Sequence, residues 1–191
     1  MECFKEFLHD SMGVPEKDVD FWAAKLSVRT VAKNEFILQP GQHCSCTYFI
    51  ERGVLRMYNL DKRGREHIVQ FAPEKRLVSD RRSTYLNTPS VYFIQAVENS
   101  EIVAFPKGMM TEIVMTYPES VERNIYLLNT LIANLQDRVV MLIGATAEDR
   151  YLDFLCKYSD YVNRTPLWMI ASYLGITPES LSRVRKILLT Q

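Results

Sequence analysis

A run of polar side chains between residues 177 and 186 has the spacing of one helix face. Its outward positions are Thr177, Pro178, Glu179, Ser182 and Arg183. An arginine can donate two parallel hydrogen bonds to a guanine, and a glutamate can accept one from a cytosine amine. Phosphate contacts are expected from Ser180, Arg185 and Lys186, and a phosphate contact is also the alternative role for Arg183. These side chains indicate recognition of nucleic acid.

The residues around this run meet the requirements of a helix-turn-helix. Ala171 allows two helices to cross closely, and Gly175 can adopt the positive φ of the turn between them. Thr177 can cap the second helix, and Pro178 suits its first position. An apolar wedge between the helices is supplied by Ile170, Leu174, Ile176, Leu181 and Val184. A plain helical hairpin inside a core is the alternative, but it does not require this joint placement.

Catalytic and metal chemistry have little support in the chain. The histidines His9, His43 and His67 are dispersed, and no nucleophile–base pair or phosphate-binding glycine loop is visible. The pair Cys44 and Cys46 lacks a second ligand pair at metal spacing, so ordinary reduced cysteines are expected. We predict a protein that is not an enzyme and holds no metal or cofactor.

Charge is balanced over the whole chain but not along it. The 191 residues carry 23 Lys and Arg against 23 Asp and Glu. Residues 161–191 hold Arg164, Arg183, Arg185 and Lys186 against Glu179 alone. A small basic C-terminal unit suits DNA. With neither a membrane-spanning run nor a signal-peptide pattern, a cytoplasmic protein is expected.

Short strands dominate the chain from about residue 26 to residue 105. Runs rich in Val, Ile, Phe and Tyr alternate with turn signals, which predicts an antiparallel roll. The runs are Thr47–Glu51, Val54–Asn59, Glu66–Phe71, Val91–Val97 and Glu101–Phe105. Two short helices broken at Gly13-Val14-Pro15 precede this region, and a short helix is expected within Pro73–Pro89.

Helices follow the strands. A short helix over Lys107–Thr116 is followed by a long one from about Glu119 to Ile143, which carries an apolar heptad pattern. We call these positions the seam: Val121, Ile125, Leu128, Ile132, Leu135, Val139 and Leu142. The alternative is a helix that lies on its own domain, as Leu127 and Leu131 suggest for one flank. Because no second long helix is predicted, the seam favours a homodimer.

The order of a β-roll, a long helix and a C-terminal helix-turn-helix resembles the cyclic-AMP receptor protein/FNR (Crp/Fnr) family of bacterial regulators. The resemblance is carried by Ile170-Ala171 through Lys186 and, in the roll, by Lys33, Phe36, Gly41, residues 48–53, Gly64 and Glu74. It implies an α+β protein whose N-terminal antiparallel β-roll is a jelly roll like that of cyclic-nucleotide-binding domains. The expected units are a sensor domain at 1–118, a dimerisation helix at 119–144 and a DNA-binding domain at 145–191.

The resemblance also implies partners and roles. It implies a sequence-specific regulator that binds a pseudo-palindromic site on double-stranded DNA as a homodimer, with RNA polymerase and an unknown small-molecule effector as further partners. Glu179 and Arg183 fall where the family contacts bases, whereas Pro178 replaces an arginine, so the base preference should differ. Only Ser159–Thr165 remains for the wing, which is expected to be a short loop. The alternative is a sensor module that acts on a protein partner.

The effector cassette of the family is degenerate in this chain. In members that bind cyclic AMP, a Gly-Glu pair, a short helix and an Arg-Ser or Arg-Thr pair hold the ribose and the phosphate. Here Pro73 precedes Glu74, and Ser90-Val91 replaces the arginine and the hydroxyl residue. The candidate pocket is Glu74, Arg81, Arg82, Ser90, Val91 and Tyr92. Arg81 and Arg82 either substitute for the missing arginine or form a solvated face.

We therefore predict that the protein does not bind cyclic AMP. Without an arginine clamp, a bound phosphate would be desolvated and unpaired. Calorimetry with millimolar cyclic AMP should show no saturable heat, and a micromolar dissociation constant would refute the prediction.

Overall fold

Strands fill the region that the sequence assigns to them. The computed structural model describes residues 1–189, so residues 190–191 of the expected DNA-binding domain lie outside the described residues. The strands in the described part are β1 (Val28–Val31), β2 (Phe36–Leu38), β3 (Cys46–Arg52), β4 (Leu55–Leu60), β5 (Glu66–Ala72), β6 (Leu77–Val78), β7 (Phe93–Ala96) and β8 (Ser100–Pro106). All five predicted strands are confirmed within three residues at each end.

The strands form two antiparallel four-stranded sheets, ordered β1-β8-β3-β6 and β2-β7-β4-β5. Apolar side chains from both sheets meet between them, among them Ile50, Leu55, Ile94 and Ile102, all fully buried. This arrangement is the predicted antiparallel roll. β5 lies at an edge of the second sheet, which leaves one side of its backbone without a strand partner.

A second core joins the N-terminal helices to the outside of the roll. It packs rings of Phe4, Phe7, Phe49 and Phe105, with centroid separations from 5.2 to 6.3 Å. The helices are α1 (Glu2–Glu6), which continues as a π-helix over Phe7–Ser11, and α2 (Glu16–Ala23). The predicted break at 13–15 is therefore confirmed.

The remaining helices follow the predicted order. They are α3 (Arg81–Leu86), α4 (Lys107–Thr116), α5 (Glu119–Gly144), α6 (Ala147–Tyr158), α7 (Leu167–Leu174) and α8 (Pro178–Leu189). A capping box starts α6, because Thr146 and Asp149 each accept a hydrogen bond from the other's backbone amide. Between α6 and α7 the described chain forms only a short 3₁₀ turn, Ser159–Tyr161, so the reduction of the wing to a loop is confirmed.

None of the helices within residues 1–189 has both the length and the apolarity that a membrane span needs.

The turn between β3 and β4 depends on a glycine. Gly53 has φ +96°, and a Cβ atom there would lie 2.8 Å from the Cα atom of Ser100. Gly64, in the turn between β4 and β5, has φ +75° with nothing within 4 Å of that position. Both residues adopt the left-handed region, but only Gly53 is also crowded by backbone.

These two glycines provide a matched test. Gly64→Ala should lower the free energy of unfolding by about 1–2 kcal/mol, because it introduces left-handed strain alone. Gly53→Ala should lower it by roughly 1–3 kcal/mol more, because overpacking adds to that strain. Urea unfolding measures both values, and equal losses would contradict the role assigned to the Ser100 contact.

Candidate nucleic-acid interface

The turn between α7 and α8 has the geometry that the sequence predicts. Gly175 ends α7 with φ +68°, and the Ile176 amide donates to the Ala171 carbonyl at 3.0 Å. Thr177 accepts a hydrogen bond from the Ser180 amide at 3.2 Å and so caps α8. This network fixes the start of α8 relative to α7.

An apolar wedge holds the two helices together. Ile170, Ala171 and Leu181 are fully buried, Leu174 and Val184 nearly so, and Ile176 is half-buried. These residues belong to a core that also contains Tyr151 and Phe154 of α6. The predicted wedge is confirmed, and α6 completes a three-helix unit.

The outward face of α8 carries the predicted polar residues. Thr177, Pro178, Glu179, Ser182, Arg183 and Lys186 are exposed, whereas Ser180 and Arg185 are half-buried. The Ser182 hydroxyl donates its hydrogen to the Pro178 carbonyl at 2.9 Å. Its oxygen is therefore available to another molecule only as a hydrogen-bond acceptor. Hydrogen bonds from its own amide and from Thr177 lower the pKa of Glu179. Glu179 is therefore a carboxylate at neutral pH, and it can accept but not donate.

α7 is attached to the unpaired edge of β5. The Ser172 hydroxyl donates to the Glu66 carbonyl at 2.7 Å and accepts from the Ile68 amide at 3.1 Å. Arg138 of α5 donates to the carbonyls of Ile68 and Tyr173, at 3.2 and 2.9 Å. One serine and one arginine thus take the place of a neighbouring strand.

Aromatic and cationic side chains extend this contact. Phe71 of β5 lies 5.3 Å from Tyr173 and 6.2 Å from Phe154, measured between ring centroids. Burial, together with the neighbouring Tyr173, raises the pKa of Tyr158, so this phenol is neutral. The helix-turn-helix therefore packs on the roll through a buried surface.

A buried arginine of the second sheet forms another contact between the roll and α7. Arg56 of β4 is 5% exposed, donates to Gln95 at 2.6 Å and pairs with Glu66. Its guanidinium carbon lies 4.2 Å from the ring centroid of Tyr58 and 5.2 Å from that of Trp168 in α7. Sequence reasoning missed Arg56 and Ser172, because neither shows by its type or spacing that a distant segment covers it.

The seam lies on α5 as predicted, and its side chains have few partners within the described chain. Six of the seven are exposed, and Leu128 is half-buried. On the flank, Leu127 packs against the N-terminal core, as its position suggests. Near the end of α5, a methyl carbon of Leu142 lies 3.3 Å from the position that a Cβ atom would take at Gly175. The seam therefore reaches the turn of the helix-turn-helix.

The structure does not gather the candidate effector residues around one space. Glu74 lies in the β5–β6 loop, where it accepts from the Gly53 amide at 2.8 Å and pairs with Arg164. Arg81 and Arg82 are exposed on α3, and Arg81 lies over the Tyr85 ring. A solvated face is therefore the better description of this arginine pair.

Ser90 and Val91 stand where the Arg-Ser or Arg-Thr pair of the cassette is expected, and Ser90 is held in a turn. Ser90 is buried, its amide donates to the Gln42 carbonyl and its carbonyl accepts from the Gly41 amide, both at 2.8 Å. Its hydroxyl accepts from the Tyr92 amide at 3.0 Å. Val91 is exposed and Tyr92 half-buried. No cationic side chain stands at positions 90 and 91.

The acid that directly precedes the short helix is Asp80, not Glu74. Asp80 is 5% exposed and accepts from the Ser83 amide at 3.2 Å as the cap of α3. An aspartate before a helix start is a recognisable capping signal. Glu74, the expected acid of the cassette, lies in the loop between β5 and β6, before the strand that leads to α3.

Within the described residues, no group of three or more His, Cys, Asp or Glu side chains could hold a metal ion.

The described chain is thus a β-roll joined through a long helix to a helix-turn-helix. Residues 28–117 match the family model of the cyclic nucleotide-binding domain. The regulatory protein HlyX of Actinobacillus pleuropneumoniae is 26% identical over 82% of this chain and 69% of its own length. The anaerobic regulatory protein of Haemophilus influenzae is 24% identical, and the match covers 82% of this chain but only 64% of that protein.

Solved structures show the same fold. FixK2 from Bradyrhizobium japonicum superposes with a TM-score of 0.73 at 19% identity, covering 87% of this chain and 85% of that one. A CooA mutant from Carboxydothermus hydrogenoformans gives 0.68 at 17% identity, covering 87% and 78%. In sequence and fold the chain is similar to Crp/Fnr-type transcription regulators. The two relatives named above are regulatory proteins.

Proposed function

We propose that this chain binds a pseudo-palindromic site on double-stranded DNA as a two-fold dimer and thereby regulates transcription. The observation that carries the proposal is the exposed polar face of α8, which a buried wedge and a capped start hold rigid. A recognition helix reads base edges in the major groove from its N-terminal half. In α8 that half presents Glu179, Ser182 and Arg183.

The roles of the polar residues follow from their chemistry. Arg183 can donate to two acceptors of a guanine, and the ionised Glu179 can accept from a cytosine amine. The amide and hydroxyl groups at the start of α8, together with Arg185 and Lys186, suit phosphates. Pro178 contributes shape and no hydrogen bond from its backbone nitrogen.

The dimer is the second part of the proposal. Members of the family bind DNA as dimers. In this chain, α5 has one buried residue, Ser120, in its 26 residues, and its seam faces away from the described core. Burying a row of Ile, Val and Leu side chains against the same row of a second copy would remove them from water.

We also propose that residues 1–118 sense a small-molecule effector other than cyclic AMP, residues 119–144 form the dimer and residues 145–191 bind DNA. RNA polymerase is the proposed partner in transcription, and the cytoplasm the proposed compartment. The alternative, a sensor module that acts on a protein partner, has less support because it gives the face of α8 no role.

Base reading by Arg183 can be separated from phosphate binding. Arg183→Ala should cost on the order of 1–3 kcal/mol of binding to the preferred site and relax the preference at one base pair of each half-site. Lys186→Ala should weaken binding to all sequences alike. Binding-site selection followed by titration measures both. An unchanged sequence preference in Arg183→Ala would contradict the base-reading role.

Dimerisation can be tested at the centre of the seam. Ile132→Glu would place two like charges in an apolar interface, so sedimentation should show a monomer that no longer binds the selected site. Thr130→Glu adds the same charge at an exposed position of α5 outside the seam and should leave a dimer. A monomeric wild-type protein, or equal behaviour of the two variants, would refute the seam.

A further inference from the structure

A charged cleft lies where one end of the roll meets the loop between α6 and α7. Its volume is about 650 Å³, within the range of small-molecule sites. The roll contributes four of its loops, β1–β2, β3–β4, β5–β6 and β7–β8. The lining residues are Lys33, Arg52, Gly53, Glu74, Glu98, Asn99 and Arg164. Of the proposed effector residues, only Glu74 is among them.

Both carboxylates of the cleft are already engaged. Arg164 donates to Glu74 at 2.8 Å and also pairs with Glu98. Burial acts to raise the pKa of Glu74, but hydrogen bonds from Arg164 and the Gly53 amide outweigh it, so the pKa is lowered. Glu74 therefore stays ionised, and because Arg164 pairs with both acids, they offer little attraction to a cation.

The cleft side chains outside the ion pairs of Arg164 can donate hydrogen bonds to a ligand. The Asn99 side-chain carbonyl accepts from the Lys33 amide at 2.9 Å, which leaves its NH₂ group to donate. Within the described chain, the ammonium of Lys33 and the guanidinium of Arg52 form no ion pair. The cleft thus has one positive charge in excess and three donor groups around one space.

We propose that this cleft binds a small organic dianion, such as a dicarboxylate or a phosphate monoester, and that it is the effector site of the regulator. Lys33 and Arg52 would hold the two negative charges, because a guanidinium donates two aligned hydrogen bonds to a carboxylate or a phosphate. The polar lining favours such an acid over an aromatic or aliphatic ligand.

Arg164 connects the cleft to the helix-turn-helix. It lies three residues before α7, and its ion pairs are partly exposed, with side chains 28 to 36% accessible. Exposed ion pairs contribute little to stability. A dianion can therefore compete with Glu74 and Glu98 for Arg164 and shift the loop that leads into α7. This second step rests on the proposed DNA-binding function, whereas ligand binding does not.

Binding is tested first, with the full chain at low ionic strength. Calorimetry with succinate and with glycerol 3-phosphate should show saturable binding by at least one, and acetate or sodium chloride at equal ionic strength should show none. The double variant Lys33→Gln/Arg52→Gln should lose at least tenfold in affinity. The matched control Lys62→Gln/Arg63→Gln removes two exposed charges from the β4–β5 turn and should bind as the wild type does.

The two anions distinguish the ligand classes: binding of one alone identifies a di-acid or a phosphate ester. Binding of neither, or equal loss in both double variants, would overturn the site. The effector role is tested by DNA titration, where a saturating dianion should change affinity at least threefold in the wild type and the control but not in Lys33→Gln/Arg52→Gln. Unchanged DNA affinity would overturn that role. Failure to bind any DNA would instead contradict the proposed function and leave the calorimetric result intact.

Discussion

The unpaired backbone of β5 is the constraint on which the placement of the helix-turn-helix depends. An edge strand exposes amide and carbonyl groups that another chain can pair with. In this protein the Ser172 hydroxyl pairs with the Glu66 carbonyl and the Ile68 amide, and Arg138 pairs with the Ile68 carbonyl. Because α7 carries Ser172 and shares its wedge with α8, covering this edge also fixes the direction of α8.

Much of the fold could be predicted from the sequence because its signals are local. The helix-turn-helix requires Ala171, Gly175 and the Thr177-Pro178 pair within a few residues of one another, and the structure shows each in the expected role. The longer strands show their apolar pattern in the same way. β2 and β6 have only three and two residues, too few for a pattern to define their bounds, and β1 has a single buried residue among four.

The contacts that unite the two halves could not be predicted, because they join residues far apart in sequence. Ser172 pairs with a strand more than 100 residues away, and Arg164 reaches Glu74 across 90. A charged residue such as Arg56 suggests an exposed position, yet its pairing with Glu66 and Gln95 allows burial.

The seam on α5 and the exposed face of α8 are the surfaces proposed for dimerisation and for DNA binding. Contacts within the described chain connect them. Arg150 of α6 donates to the carbonyl of Ala145, the residue after α5, and to the carbonyl of Leu174 at the end of α7, both at 3.1 Å. Leu142, a seam residue, lies against Gly175 in the turn. The end of the seam, the start of α6 and the turn are therefore joined by direct contacts. In the proposed dimer, the packing of two α5 helices would determine the distance between two α8 helices, so the seam would set the half-site spacing. A side chain that repacks the C-terminal end of the seam would thus change which DNA the dimer fits without touching a base.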